Sequence, residues 1–149
     1  DHLLAMLAVG LWAAQQSGAA RWALPLTFVG TMLIGGLLGF NGLQIPLMET
    51  GIAASVLAFG LLVAVAIRLP MIIAIALTAL FALTHGVAHG LELPELASPW
   101  GYAAGFVVAT AALHASGYAL VRLLPQAAAP VVRVLGAASA LTGAWLLAG

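Results

Sequence analysis

The sequence predicts an all-α, polytopic membrane protein, a compact bundle of about six transmembrane helices. Hydrophobic residues make up 64% of the chain and charged residues only 5%, whereas about a quarter of a soluble domain is charged. A folded surface with so few charges cannot face water, so a soluble globular protein is excluded. Most of the apolar stretches have about the 17–25 residues that a helix needs to cross a bilayer.

Turn residues and prolines divide the chain into six apolar segments of one domain, residues 1–149. The predicted segments are residues 1–14, 22–40, 52–67, 71–91, 100–124 and 131–147, and an earlier start of the third, near Pro46, is left open. Segment 1 is short for a membrane span, and segment 2 ends at Asn41 and Gly42. Prolines mark the later boundaries, at Pro46, Pro70, Pro94, Pro99, Pro125 and Pro130. The short connections predict that consecutive helices are antiparallel.

Charged side chains are segregated between the two ends of this predicted bundle. The arginines lie in or beside connections 1–2, 3–4 and 5–6, at Arg21, Arg68, Arg122 and Arg133. The acidic residues lie at the other end, at Asp1, Glu49, Glu92 and Glu95. Because arginine-rich loops face the cytoplasm, both termini are predicted to lie outside. An acidic outer face would concentrate cations.

Small residues recur at a spacing of about four and predict close contacts between helices. The pairs are Gly35 or Gly36 with Gly39, Gly86 with Gly90, and Gly101 with Gly105. Packing is the simplest role for all of them. Two of these glycines directly follow histidines, where they leave room for a ligand or for a neighbouring helix.

The end of segment 4 carries the sequence His-Gly-Val-Ala-His-Gly-Leu-Glu, from His85 to Glu92. His85, His89 and Glu92 are spaced i, i+4 and i+7, so their side chains share one face of a helix. Met71 and Thr78 continue that face in steps of seven. Polar groups within a membrane are expensive and mark functional sites. Imidazole and carboxylate together predict a transition-metal site at the outer end of this segment.

One helix face cannot surround an ion, so a second segment must supply further ligands. Asp1 and His2 open segment 1 at the same predicted depth and are the best candidates. Asp1 can also act as a helix cap, and the two roles are compatible. His114 lies deeper, on segment 5, with Thr110 one turn outward. It is either a second, inner station for an ion or a packed, hydrogen-bonded histidine.

The donor set narrows the class of ligand. Imidazole with carboxylate suits Ni²⁺, Co²⁺ or Zn²⁺ and does not choose among them, and the absence of cysteine removes thiolate sites. The ion is expected as a transported substrate, with no resident cofactor. The sequence contains no glycine-rich phosphate loop, so no nucleotide site is predicted. Its net charge is zero, so no nucleic-acid partner is predicted. The lipid bilayer is the other expected partner, and a homo-oligomer is left open.

Two stretches resemble the motifs of the HupE/UreJ family. Residues 1–14 resemble its first motif, which reads His-Pro, five residues, then Asp-His; only Asp1 and His2 of that motif stand in this sequence. Residues 81–92 resemble its second motif, His-Gly-x-Ala-His-Gly-x-Glu, which matches throughout. Phe81 stands four residues before His85, a small departure from the family's Phe-x-His. The resemblance covers all six segments in pattern.

The resemblance implies a small bacterial inner-membrane protein associated with hydrogenase or urease genes. Family members are regarded as nickel, sometimes cobalt, permeases. By this resemblance the metal-handling residues are Asp1, His2, His85, His89 and Glu92. The chain begins inside a predicted helix, so we expect upstream residues that include the His-Pro pair and a removed signal peptide.

The sequence therefore predicts a permease that takes up a divalent cation, and not an enzyme. A haem-binding electron carrier remains an alternative, because His85 and His114 are a candidate pair of axial ligands. A metal-dependent intramembrane hydrolase is another, with Glu92 as base, although no serine or second carboxylate is expected at a matching depth. A subunit for interaction or stability, with metal-free histidines, is the third.

Overall fold

The computed structural model describes residues 1–93 and 98–149, and in these ranges the chain forms six α-helices. They are α1 (His2–Gln15), α2 (Ala20–Phe40), α3 (Met48–Val65), α4 (Met71–Leu91), α5 (Pro99–Leu123) and α6 (Ala129–Ala148). A 3-10 turn, Gln126–Ala128, precedes α6. The predicted all-α fold is confirmed, and each predicted boundary lies within four residues of the observed one.

Five of these helices, α2 to α6, are long and apolar enough to cross a membrane, so the chain is a multi-pass membrane protein. The remaining helix, α1, has 14 residues and is also apolar. Residues 8–13 of α1 are buried without a break. Because a turn of helix takes 3.6 residues, such a run is enclosed on every side. Helices α2, α3, α5 and α6 all contact α1, which places it at the centre of the bundle.

Glycines set the closest helix contact, between α2 and α4. A Cβ on Gly86 would overlap the carbonyl oxygen of Met32, and a Cβ on Gly90 would overlap that of Gly36. The two helices run in the same direction. The most extensive contact in the bundle therefore joins two parallel helices that are not consecutive in the chain. The prediction for Gly105 was wrong, because no atom of residues 1–93 or 98–149 lies within 4 Å of a Cβ built there.

The two ends of the bundle differ in charge, as the sequence predicts. The Nε of Arg68 donates to the carbonyl oxygen of Gln15 at 3.1 Å. The Nε of Arg133 donates to the carbonyl oxygen of Ala64 at 2.8 Å. These bonds gather the C-terminal ends of α1 and α3 and the start of α6 at one end, which we call the arginine end. The opposite end holds the start of α1 and the last turns of α4.

Candidate metal centre

Three histidines from two helices meet at the end of the bundle opposite the arginine end. The ring centroids of His2 and His85 lie 4.6 Å apart, with the rings at 89°. Those of His2 and His89 lie 4.9 Å apart, at 57°. His85 is fully buried, and His2 and His89 are half-buried. The structure thus brings together the imidazoles that the sequence places on segments 1 and 4, and we call them the histidine cluster.

Packing of α4 against α2 directs these histidines towards α1. Gly86 and Gly90 each follow a histidine, and both lie against the backbone of α2. Successive residues of a helix are turned by about 100°, so the histidines point to a different side from the glycines. Both glycines therefore serve helix contact, and the histidine rings meet His2 of α1 on their other side.

Asp1 fixes the ring of His2. Its Oδ1 accepts a hydrogen bond from the His2 backbone N–H at 2.7 Å, and it lies 2.9 Å from the Nδ1 of His2. Because a carboxylate oxygen only accepts, Nδ1 carries the proton, and in the neutral ring Nε2 holds the free lone pair. Asp1 is also the N-cap of α1, which is the structural role that the sequence allowed for it.

Ser55 of α3 contacts the ring of His85. The Ser55 Oγ lies 2.8 Å from the Nε2 of His85 and donates to the carbonyl oxygen of Ile52 at 2.6 Å. Both Ser55 and His85 are fully buried. The cluster is therefore supported from a third helix.

One ring nitrogen of each clustered histidine is buried and has no hydrogen-bond partner among the described residues. These atoms are the Nε2 of His2, the Nδ1 of His85 and the Nε2 of His89. Buried polar atoms normally have a partner, so three in one place call for an explanation. Within residues 1–93 and 98–149, no three His, Asp or Glu side chains already stand in a metal-holding arrangement.

The acidic candidates lie at the edge of the cluster. Glu92 caps the C-terminus of α4 and is exposed. Its carboxylate makes no hydrogen bond or ion pair with any residue that the structure describes. Glu49 lies in the first turn of α3 and is also exposed. The predicted acidic residue Glu95 lies outside the described residues.

His114 does not join the histidine cluster. It lies on α5, only 3% exposed, and both of its ring nitrogens are buried without a partner in the described part of the chain. The ring of Phe28 packs against both sites, with its centroid 5.1 Å from that of His114 and 5.5 Å from that of His85. A haem held between these two histidines would have to displace Phe28, so the arrangement does not favour the haem alternative.

A hydroxyl and two thioethers lie next to His114 in the core. Thr110, one turn before His114 on α5, has its Oγ1 3.3 Å from the Sδ of Met6 and 3.6 Å from the Sδ of Met32. All four side chains are buried. Soft and polar atoms thus continue from the histidine cluster towards the middle of the bundle.

Sequence reasoning missed Ser55, and the expectation that no serine lies at a matching depth was wrong. A signal was present, because Ser55 has the one polar side chain in the predicted segment 52–67. Its contact with His85 does not favour the hydrolase, however. A serine nucleophile would have to donate its proton to the histidine, whereas Ser55 donates to the carbonyl oxygen of Ile52.

Comparisons with known proteins identify the family of the chain. The HupE / UreJ protein family matches residues 1–146 of the chain. Protein HupE of Rhizobium leguminosarum bv. viciae is 46% identical over 150 residues, a match that covers 100% of this chain and 78% of the relative. No solved structure matches the chain. The resemblance noted from the two motifs is confirmed: the chain belongs to the HupE/UreJ family.

Proposed function

We propose that the chain is a bacterial inner-membrane permease that takes up a divalent transition-metal cation, Ni²⁺ or Co²⁺. The observation that carries this proposal is the histidine cluster, which places three imidazole nitrogens without a partner among the described residues at one end of a membrane bundle. Membership in the HupE/UreJ family supports it. The cation is cargo, so the site must bind it strongly enough to select it and weakly enough to release it.

The donors suit such a cation. Neutral imidazole is a ligand for nickel, cobalt and zinc, whereas Mg²⁺ and Ca²⁺ prefer oxygen. In this proposal the ligand atoms are the Nε2 of His2, the Nδ1 of His85 and the Nε2 of His89. Asp1 orients His2 through Nδ1, as carboxylates orient many metal-binding histidines. The exposed Glu92 at the end of α4 attracts the cation and helps to remove its water.

The inner part of the pathway leads past Phe28 to His114. The ring of Phe28 contacts His85 on one side and His114 on the other. In this proposal His114 is the inner station for the ion, and its two buried ring nitrogens, which have no partner in the described part of the chain, support that role. With the arginine end in the cytoplasm, this direction of movement is inward. Energy comes from a gradient or from a separate partner.

Uptake of ⁶³Ni²⁺ into proteoliposomes at neutral pH tests this proposal. The purified chain is compared with His85→Ala and His89→Ala, and Co²⁺ and Zn²⁺ are added as competitors. Thr142→Ala is the control, because its hydroxyl bonds only to its own helix on α6, at Ala138. Circular dichroism confirms that each variant is folded.

We expect the wild type and the control to accumulate Ni²⁺ and both histidine variants to fall to the level of empty liposomes. The competition then ranks the metals. Folded wild-type protein that takes up no metal would overturn the permease. Folded histidine variants with unchanged uptake would overturn the proposed site.

A further inference from the structure

The contact between Ser55 of α3 and His85 of α4 bears on which ring nitrogen of His85 is protonated, as well as on the position of the ring. The Ser55 Oγ has two close neighbours, the carbonyl oxygen of Ile52 at 2.6 Å and the Nε2 of His85 at 2.8 Å. A hydroxyl has one proton to donate, and a carbonyl oxygen can only accept. Two oxygens at 2.6 Å are a hydrogen bond, so the Ser55 proton points to Ile52.

The remaining bond must therefore run in the opposite direction. The Ser55 Oγ accepts, and the Nε2 of His85 donates its N–H. In the neutral imidazole the other nitrogen then carries the lone pair. That nitrogen, Nδ1, is buried and has no hydrogen-bond partner among the described residues.

We infer that Ser55 is a positioning residue, which holds His85 as the Nε2–H tautomer and so presents the Nδ1 lone pair to the histidine cluster. The part of this inference that concerns a cation rests on the proposed function; the tautomer does not. Ser55 accepts a hydrogen bond from the Nε2 of His85, whereas Asp1 accepts one from the Nδ1 of His2. The cluster thereby offers Nε2 from His2 and Nδ1 from His85.

Burial explains why a neutral hydroxyl, and not a carboxylate, accepts the hydrogen bond from His85. The Ser55–His85 pair is fully buried, where an unpaired carboxylate would be costly. A serine whose proton is already donated within α3 acts as a pure acceptor without carrying charge. It fixes the tautomer of His85 and leaves the charge of the cluster unchanged.

The direct test is nuclear magnetic resonance of ¹⁵N-histidine-labelled protein in detergent, without metal. Couplings between ring protons and ring nitrogens identify which nitrogen is protonated, and a His85→Asn sample assigns the His85 signals. We expect a protonated Nε2 and a bare Nδ1 in the wild type. In Ser55→Ala the His85 signals should shift towards a mixture of the two tautomers, and in Ser55→Thr, which retains the hydroxyl, the Nε2–H form should persist.

A second measurement is the affinity for Ni²⁺ by calorimetry. Loss of a group that orients a metal-binding histidine typically costs about 10–100-fold in affinity, and we expect that loss in Ser55→Ala. Ser139→Ala is the matched control, because Ser139 is a buried serine on α6. The affinity of the Ser139→Ala variant for Ni²⁺ should equal that of the wild type.

The outcomes separate this inference from the proposed function. A wild-type His85 protonated on Nδ1 overturns the inference, as does a Ser55→Ala variant with wild-type tautomer and affinity. Wild-type protein that has the Nε2–H tautomer but binds no cation overturns the proposed function, while the role of Ser55 in fixing the tautomer is upheld.

Discussion

Gly86 of α4 lies so close to Met32 of α2 that a Cβ on the glycine would overlap the carbonyl oxygen of the methionine. The neighbour is backbone, which cannot rotate away as a flexible side chain can. The contact sets the separation of α2 and α4 next to His85. It therefore also sets how close the His85 ring lies to His2 of α1.

Gly86→Ala should therefore destabilise the protein and weaken metal uptake together. Forcing extra atoms into a packed contact typically costs about 1–3 kcal/mol. Thermal unfolding in detergent and ⁶³Ni²⁺ uptake are the measurements. Gly105→Ala is the control, because no atom of the residues that the structure describes lies within 4 Å of the added Cβ. Its stability should stay the same or rise, since alanine favours a helix over glycine by about 1 kcal/mol. Equal unfolding midpoints for the two variants would refute the close contact.

Asp1→Asn should lower the affinity for Ni²⁺ without unfolding α1. The amide oxygen can still accept from the His2 backbone and so cap the helix, but the charge that favours the Nδ1–H form of His2 is lost. By analogy with other residues that orient metal ligands, we expect a loss of about tenfold. Calorimetric titration measures it, with Thr142→Ala as the control, because the Thr142 hydroxyl bonds within its own helix, α6. Unchanged affinity in Asp1→Asn would argue against an orienting role for the carboxylate.

Phe28→Leu should leave Ni²⁺ affinity unchanged and increase the rate of uptake. The ring of Phe28 contacts both His85 and His114, and a smaller side chain opens the space between them. Phe59→Leu is the control, since Phe59 is equally buried but packs against Trp12 and Phe81. Titration and uptake are measured on the same preparations. A slower uptake in Phe28→Leu than in the control would contradict a pathway past this ring.

Single cysteines test the orientation of the bundle, because the chain contains no cysteine of its own. Asn41→Cys lies in the connection after α2, at the end that holds the histidine cluster, and Gln126→Cys lies at the arginine end. In intact spheroplasts a membrane-impermeant maleimide should label the first and spare the second until the membrane is opened. The reverse pattern would place the arginine end outside and would reverse the proposed direction of transport.

Local sequence signals predicted the helices well where proline frames them. Pro70 directly precedes α4, and the bounds of this helix were predicted without error. At α6 the prediction began two residues late, because Pro130 occupies the first turn of the helix and does not precede it. The start of α3 was predicted at Ile52, with an earlier start near Pro46 left open, and the helix begins at Met48, between the two.

The three histidines of the candidate site could be predicted from the sequence, but their other neighbours could not. A repeat of four places His85 and His89 on one face, and the predicted depth and the family resemblance both pair that face with His2. Nothing in a helical repeat indicates which residue of α3 faces His85, so the bond from Ser55 could only be seen in the structure. The place of Phe28 between His85 and His114 depends in the same way on the packing of three helices.

The histidine cluster is assembled from chain positions that leave the ribosome far apart in time. His2 emerges with the first helix and Ser55 with the third, whereas His85 and His89 follow only with the fourth. A nascent chain that has reached the end of α3 holds one imidazole of the cluster and therefore cannot chelate a cation. Under the proposed function, the cluster can therefore hold a cation only after α4 has inserted beside α2.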